Sequence, residues 1–304
     1  MLFGVLVLFL SCETTSFFAF PKAASAALPF TVFIVTSLLL KSGSAPFHYW
    51  VADAYEGAPS PVTVFLAVTV KLCVFLIICR VISGPLILGL AFWRPVLIIS
   101  ASLSIIIGCL GALFQKRIKR LLAYSSINNV GYAIAGLSAG NLSGIQASCT
   151  YIIFYCGALL LLFSLILGPY GSKPITYVAE LRRLSPNRQS SIISALALFS
   201  MAGIPPLSGF WIKFFVLYEL IASKLYALAI IGAFASIISS FYYVSLIKVL
   251  YFEEGPVVIG DNTPALPAPI LFLLVISLSA YPLFPGTITS LSGSFALGFF
   301  TEFL

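Results

Sequence analysis

The stretch VFLAVTVKLCVFLIICR, residues 64–80, is an apolar run that carries a lysine, Lys71, near its middle. A helix needs about 20 mainly apolar residues to cross the hydrocarbon core of a membrane. Apolar neighbours extend this run over 61–82. A barrel strand needs only about 9–11 residues, so a run of this length predicts a transmembrane helix.

Eight further stretches of the chain have the same apolar character, and the gaps between them are short. The nine predicted spans are 2–20, 26–47, 61–82, 95–114, 118–139, 145–168, 191–221, 225–250 and 268–282. This pattern predicts an all-α, polytopic membrane protein that forms a single helical bundle without a separate soluble domain. The apolar tail from Phe284 to Leu304 is rich in glycine and serine, and we interpret it as an interfacial or partner-contacting segment.

The composition of the 304-residue chain excludes several other classes of protein. Hydrophobic residues make up 61% and charged residues 8%, whereas a soluble domain carries about 25% charged residues. The high hydrophobicity also excludes a disordered chain. The six cysteines lie in or beside apolar runs without a CxxC pair, so the sequence predicts neither a metal site nor a cofactor.

The distribution of Lys and Arg predicts the orientation, because loops on the cytoplasmic or matrix side carry an excess of both. The even-numbered loops hold eight, namely Lys116, Arg117, Lys119, Arg120, Lys173, Arg182, Arg183 and Arg188. The odd-numbered loops hold four, namely Lys22, Arg80, Arg94 and Lys224. We therefore expect the N-terminus on the inner side and the C-terminus on the outer side. The excess of Lys and Arg in the inner loops also explains the net charge of +7, so the sequence does not predict nucleic acid as a partner.

Three lysines lie within or beside the apolar runs: Lys41, Lys71 and Lys213. A lysine at the bilayer centre costs about 2.5–3.5 kcal/mol on insertion scales, and snorkelling lowers that cost near the ends of a span. Lys71 lies about eleven residues from each end of its span, beyond easy reach of either interface. We interpret the three lysines as proton carriers in a hydrated interior. The alternative is a structural ion pair or hydrogen bond between helices.

Helix-breaking residues stand beside two of these lysines. KSGSAPFHYW, residues 41–50, has Pro46 shortly after the lysine, and GIPPLSGFWIK, residues 203–213, has Pro205 and Pro206 before it. Proline removes an amide donor and clashes with the preceding turn. A break at membrane depth is tolerated where it is buried or lines a cavity, and paired broken helices are typical of transporters with inverted repeats.

Other polar residues are candidates for the same proton path. The single histidine, His48, follows the first break and is interpreted as a proton relay, with a backbone hydrogen bond as the alternative. Glu56 and Glu219 are candidates for polar groups in the channel. Glu56 also fits a polar turn at the membrane interface. Glu219 lies six residues after Lys213, too far for a direct pair on one helix.

Three long motifs resemble one known family. They are KSGSAPFHYWVADAYEGAPSPVTVFLAVTVK at 41–71, IKRLLAYSSINNVGY at 118–132 and LFSMAGIPPLSGFWIKFF at 198–215. The chain resembles subunit 2 of respiratory complex I, called subunit N in bacterial NADH–quinone oxidoreductases. The antiporter-like paralogues, subunits 4 and 5, share the layout of lysines and broken helices, but the DAYEGAPSPV turn favours subunit 2.

The resemblance implies an antiporter-like fold and a role for several residues. Lys41 and Lys213 would be the lysines of the two broken helices, and Lys71 the central lysine. With His48 they would lie along a polar axis at mid-membrane, where Tyr124, Ser125 and Ser126 order water. The family moves protons from the matrix to the intermembrane space, driven by electron transfer to quinone elsewhere in the complex. The implied partners are the other membrane-arm subunits and lipids.

The chain departs from the family pattern in two ways. Asn129 stands where the family usually has histidine, and an amide can order water but cannot carry a proton charge. The motif alignment also makes the span at 2–20 the sixth of fourteen. We therefore expect 1–94 to be the remnant of the first inverted repeat, 95–282 the second repeat with the last helix, and 283–304 the tail. The hypothesis is that a separate polypeptide supplies the earlier helices; the alternative is that another subunit fills their place.

Two other functions remain open from the sequence. One is a subunit of an Mrp-type sodium/proton antiporter, and the other is a structural subunit of the membrane arm that does not pump. The 27 phenylalanines are typical of AT-rich organelle genomes and favour the mitochondrial inner membrane, with a chloroplast or bacterial membrane as the alternatives.

Overall fold

The computed structural model describes Val5, 31–83, 89–166, 175–184, 188–205, 207–252 and Val275. In these ranges the chain is helical, and the sole β-type contact is an isolated bridge between Arg117 and Tyr177. The predicted spans 2–20 and 268–282 and the tail after residue 283 lie outside the described residues, Val5 and Val275 apart. The prediction of an all-α, polytopic membrane bundle is confirmed for the part that the structure covers.

Nine helices make up the bundle in the described ranges. They are α1 (Thr31–Ser42), α2 (Tyr49–Gly57), α3 (Ser60–Ser83), α4 (Leu90–Leu113), α5 (Ile118–Ser138), α6 (Leu142–Ile166), α7 (Arg188–Ala202), α8 (Ser208–Ala222) and α9 (Tyr226–Phe252). By length and composition, α3, α4, α6 and α9 are able to cross a membrane. A short 3₁₀ segment, Val178–Leu184, lies between α6 and α7. The division of the chain into two repeats stays a prediction.

Both predicted helix breaks are present. The predicted span 26–47 ends its helix at Ser42, and the predicted span 191–221 divides into α7 and α8. Each break begins with a glycine in the left-handed region, Gly43 at φ +74° and Gly203 at φ +83°. Glycine adopts this conformation without the steric penalty that a side chain would bring.

Serines of α4 satisfy the backbone exposed by the first break. Ser100 Oγ donates a hydrogen bond to the carbonyl oxygen of Ala45 at 2.7 Å, and the amide of Ala45 donates to Ser104 Oγ at 2.8 Å. Ser44 Oγ donates to the carbonyl oxygen of Leu39 at 3.0 Å. Irregular backbone survives at membrane depth when neighbouring helices supply such partners. The break is therefore a packed feature of the bundle.

Helix α5 lies at the centre of the bundle. Its residues from Leu121 to Ser138 are buried, apart from the half-buried Tyr124. It approaches α4 closely because Gly108 of α4 lies against the backbone of Asn128, and Gly131 of α5 lies against Ser104. Small residues allow this close approach of membrane helices. The tight α4–α5 contact positions the polar side chains of α5 described below.

This contact predicts a sensitivity to side-chain size. In Gly108→Ala the new Cβ would lie 2.5 Å from the backbone nitrogen of Asn128, and overpacking of this kind costs about 1–3 kcal/mol. We expect a lower thermal stability of the purified complex in a melting assay. Gly57→Ala is the matched control, because a Cβ there meets nothing within 4 Å. Equal melting temperatures for the two variants would contradict this packing.

The two basic clusters of the sequence meet on one face of the bundle. The amide of Ile118 donates to the carbonyl oxygen of Thr176, and the amide of Val178 donates to that of Lys116, both at 3.0 Å. The start of α5 and the segment before the 3₁₀ helix therefore lie on the same side. This geometry agrees with the count of Lys and Arg, which assigns both loops to the inner side.

Candidate functional site

Lys71 is buried at the middle of α3. Its side chain is deeply enclosed, with 3% of the residue exposed, and its Nζ donates a hydrogen bond to Ser126 Oγ of α5 at 2.6 Å. Nζ also lies 5.6 Å from the centre of the Tyr55 ring. A π-helical stretch, Phe65–Val70, precedes the lysine directly, and such local rewinding is frequent at functional sites. Among the described residues, Lys71 has no carboxylate partner.

Lys213 of α8 fills the second helix break. With 6% of the residue exposed, its Nζ donates to the carbonyl oxygens of Met201 and Ala202, each at 3.1 Å. These carbonyls end α7, where the last turn lacks amide partners and the helix dipole is negative. Nζ also lies 3.5 Å from Ser239 Oγ and 5.7 Å from the centre of the Tyr132 ring. The ammonium is therefore held by dipoles and hydroxyls.

Asn129 belongs to α5 and lies between the two buried lysines, Lys71 of α3 and Lys213 of α8. The hydroxyl of Tyr151 donates to its Oδ1 at 2.6 Å, and its Nδ2 donates to the carbonyl oxygen of Ser125 at 2.7 Å. Nδ2 also reaches the hydroxyl of Tyr243 at 3.3 Å. This pattern fixes the orientation of the amide. Asn129 thus links hydroxyl groups from α6 and α9 across the centre of the bundle.

A small cavity connects Asn129 with Lys213. Its volume of about 20 Å³ is enough for one water molecule. Besides these two residues, the walls include Tyr151, Tyr155 and Ser200. The Tyr155 hydroxyl is buried and meets no hydrogen-bond partner within the described ranges. These polar side chains belong to a lining that is otherwise apolar, and a buried water needs about two to four polar partners.

These contacts form one structure, which we call the polar seam. It consists of Lys71, Ser126, Ser125, Asn129, Tyr151, Tyr243 and Lys213. On α5, Asn129 lies four residues after Ser125 and three after Ser126, so it is a helical neighbour of each serine. Of the residues singled out from the sequence, the structure brings together two of the three lysines, both serines and the asparagine.

The other residues singled out from the sequence lie elsewhere. Lys41 is exposed at the end of α1 and makes no hydrogen bond or ion pair with the described residues. His48 is buried, its ring stacks on Tyr49 with 4.4 Å between ring centres, and its Nδ1 meets no partner in the described part. Tyr124 packs against Gly111. The relay roles of Lys41 and His48 stay predictions.

The two acidic candidates contact groups near the two ends of the bundle. Glu56 pairs with Arg117 and, at 3.2 Å, with Arg120, at the N-terminal end of α5. Glu219, in the last turn of α8, accepts a hydrogen bond from Ser143 Oγ at 2.7 Å. Neither carboxylate contacts the polar seam in the described structure, and their role as channel groups stays a prediction.

The sequence reasoning missed the tyrosines of the site. Tyr151 and Tyr155 come from α6 and Tyr243 from α9, and all three are buried. The signal was available, because Tyr151 and Tyr155 stand one turn apart inside an otherwise apolar span. A hydroxyl at that depth needs a partner, which indicates a polar interior nearby.

Comparison with known proteins gives a consistent family. A family model described as NADH:quinone oxidoreductase/Mrp antiporter, TM, matches residues 1–239. NADH-quinone oxidoreductase subunit N 1 of Acidiphilium cryptum is 38% identical over 264 residues, which are 84% of this chain and 55% of the relative. Subunit N of Pelagibacter ubique is 40% identical over 225 residues, or 73% of this chain and 48% of the relative. The chain spans about half the length of these curated relatives.

Solved structures agree with the sequence matches. A chain of respiratory complex I from Thermus thermophilus superposes with a TM-score of 0.79 at 27% identity, covering 95% of this chain and 64% of that one. A chain of the Mrp complex from Dietzia sp. superposes with a TM-score of 0.85 at 18% identity, covering 99% and 65%, and shows a shared fold. The broken helices, the buried lysines and the match over residues 1–239 lead to one conclusion: the chain belongs to the NADH:quinone oxidoreductase/Mrp antiporter membrane family.

Proposed function

We propose that this chain moves protons across the membrane through the polar seam, as a membrane-arm subunit of an H⁺-translocating NADH:quinone oxidoreductase. The observation that carries the proposal is the pair of buried lysines, Lys71 and Lys213, joined by hydroxyl and amide groups and a cavity. An intramembrane ionisable residue is costly and by default marks an ion path. In this proposal, electron transfer from NADH to quinone takes place elsewhere in the complex.

The groups of the polar seam have different roles in proton transfer. A lysine takes up and releases a proton, and a hydroxyl can accept one proton while it donates another. Ser126 Oγ donates to the carbonyl oxygen of Ala123 at 2.6 Å in this structure. The hydroxyl must therefore rotate before it passes a proton along the seam. Rotation of the Ser126 hydroxyl therefore controls proton transfer along the first half of the path.

The second half of the path passes beside an amide. Asn129 cannot carry the proton charge, so the charge has to go around it. The proposed route uses the Tyr151 hydroxyl, which donates to Asn129 Oδ1, and a water in the cavity that Tyr151 and Lys213 both line. Asn129 thus acts as a positioning residue, which orients Tyr151 and Tyr243.

This route predicts a partial defect for Tyr151→Phe. The change removes the hydroxyl that donates to Asn129 and keeps the ring that fills the site. A positioned proton-transfer group contributes about 10²–10⁴-fold to a chemical step, but the cavity leaves a second route past Asn129, so the expected loss is smaller. We expect NADH-driven proton translocation in proteoliposomes to fall about three-fold, which is less than about 1.4 kcal/mol at the barrier. Tyr226→Phe, at an exposed ring on α9, is the control. An unchanged rate in Tyr151→Phe would remove the tyrosine from the path.

The proposal is tested on the whole complex in sealed vesicles. NADH oxidation in a sodium-free buffer is expected to acidify or alkalinise the lumen, according to orientation, and a protonophore should abolish the signal. The Mrp-type alternative rests on the fold shared with the Dietzia complex. It predicts a proton flux that requires sodium and proceeds without NADH. That result would overturn the proposed function.

We also propose that Lys41 faces an acidic membrane helix of a separate polypeptide. Its support is the exposure of the lysine beside the exposed Phe33 and Leu40 of α1. An unpaired ammonium on an apolar surface is unfavourable in a bilayer. A carbodiimide would join Lys41 to a neighbouring carboxylate in the intact complex. Peptide sequencing of the product is expected to identify a second chain; a carboxylate from this same chain, or no product, would contradict the proposal.

The proposed location is the mitochondrial inner membrane, with the N-terminus in the matrix. The support is the phenylalanine content and the shared face of the two basic clusters. Protease treatment of mitoplasts tests it. Peptide bonds near Arg117 should be protected, and the loop that contains Lys224 should be cleaved. The opposite pattern would reverse the orientation, and a chain absent from mitoplasts would refute the location.

A further inference from the structure

Two cysteines outside the polar seam face each other across the interface between α3 and α6. The sulfur atoms of Cys79 and Cys149 lie 3.7 Å apart, and both side chains are buried. We propose that Cys79 and Cys149 form a dithiol site that a peroxide closes to a disulfide, which ties α3 to α6.

The geometry favours this pair over the other cysteines. Among the described residues it is the one place where two thiol sulfurs meet. Cys73 is exposed, whereas Cys109 and Cys156 lie near the carbonyl oxygens of Ala235 and Val68. A disulfide bond measures about 2.05 Å, so the sulfurs have to approach by less than about 2 Å. Side-chain rotation with a small helix shift supplies such a displacement.

The interface itself holds the pair together. Cys156 Sγ of α6 lies 3.9 Å from the carbonyl oxygen of Val68 on α3. The two helices are therefore in contact at this second level as well as at the dithiol. Two thiols on packed helices stay in register, which raises the chance that an oxidised sulfur meets its neighbour before any other group.

One molecule of hydrogen peroxide is the oxidant that converts the two thiols to a disulfide. One thiol loses its proton and attacks hydrogen peroxide as the thiolate, the O–O bond breaks, and the leaving hydroxide takes up that proton, so that a sulfenic acid and water form. The second thiol then attacks the sulfenic sulfur, an S–S bond forms, and a second water leaves with the thiol proton. Two thiols together lose two protons and two electrons, and the peroxide is reduced to two waters. A dithiol reductant reverses the step by thiol–disulfide exchange.

The disulfide would restrain helices that carry the seam. Lys71 stands eight residues from Cys79, about 12 Å along α3, and Tyr151 stands two residues from Cys149 on α6. This consequence rests on the proposed function. The disulfide itself does not, so its formation and its effect on proton translocation are measured separately.

The site is tested by peroxide titration of the purified intact complex. Remaining thiols are blocked after each addition, and proteolytic peptides are mapped by mass spectrometry with and without reductant. We expect the first oxidation product to be a linked peptide that contains Cys79 and Cys149, with a loss of two free thiols from this chain. A first product at any other cysteine, or no linked peptide when others are oxidised, would overturn the proposal.

Two variants extend the test. Cys149→Ser should abolish the linked peptide, and the control Cys73→Ser should leave it unchanged. The mapping of the unmodified protein stands even if Cys149→Ser fails to assemble. A linked peptide combined with at least a two-fold, reductant-reversible loss of proton translocation would support the restraint of the seam. A linked peptide with unchanged translocation would leave the dithiol site in place and refute the restraint.

Discussion

Lys71→Met is expected to lower the rate of NADH-driven proton translocation by about five-fold or more, equivalent to about 1 kcal/mol at the barrier. Methionine keeps much of the volume and the apolar stem, so the packing of α3 should survive. The change removes the ammonium group that donates to Ser126 Oγ. The measurement is the initial rate of lumen pH change in proteoliposomes that hold equal amounts of assembled complex.

The control for this prediction is another lysine of the same chain. Lys248 of α9 is exposed, and Lys248→Met is expected to retain most of the activity. A structural subunit without a pumping role would give the same rate for both variants. Such equality, with normal assembly, would exclude Lys71 as a proton carrier.

Lys213→Gln is the second large effect, and it separates proton transfer from structural support. The glutamine amide is able to donate to the carbonyl oxygens of Met201 and Ala202, as the ammonium does now. It cannot carry a proton charge. We expect assembly close to normal and proton translocation reduced by about five-fold or more.

Lys213→Met tests the structural part of the same contact. Methionine leaves the carbonyls at the end of α7 without this donor, and an unsatisfied buried polar group costs about 1–3 kcal/mol. The amount of assembled complex on a native gel should therefore fall below that of Lys213→Gln. If the glutamine variant pumps normally, Lys213 serves only as a cap for the broken helix.

The sequence predicted the parts of the site that depend on local chemistry. Glycine and proline located both breaks, because they act on their own backbone segment. Lys71 was recognised from its depth in a single apolar run. The resemblance to the family then singled out Ser125, Ser126 and Asn129; Ser126 contacts Lys71, and the carbonyl of Ser125 contacts Asn129.

Contacts between segments that are far apart in the chain could not be predicted from the sequence. Tyr151 and Tyr243 reach Asn129 only because α6 and α9 pack against α5, and no local pattern states that packing. The environment of Glu56 was equally hidden. Its partner Arg117 is 61 positions away in the chain, and the two meet because α2 ends where α5 begins.

The central claim is that Lys71 and Lys213 lie in series on one proton path, and the double variant tests it most directly. The rate of NADH-driven proton translocation is measured for Lys71→Met, Lys213→Gln and the double variant, at equal assembly. Two carriers in series interact strongly, so the double variant should be no slower than the slower single variant, within error. If the two losses multiply, so that the barrier changes simply add, the lysines act independently and the single path is contradicted.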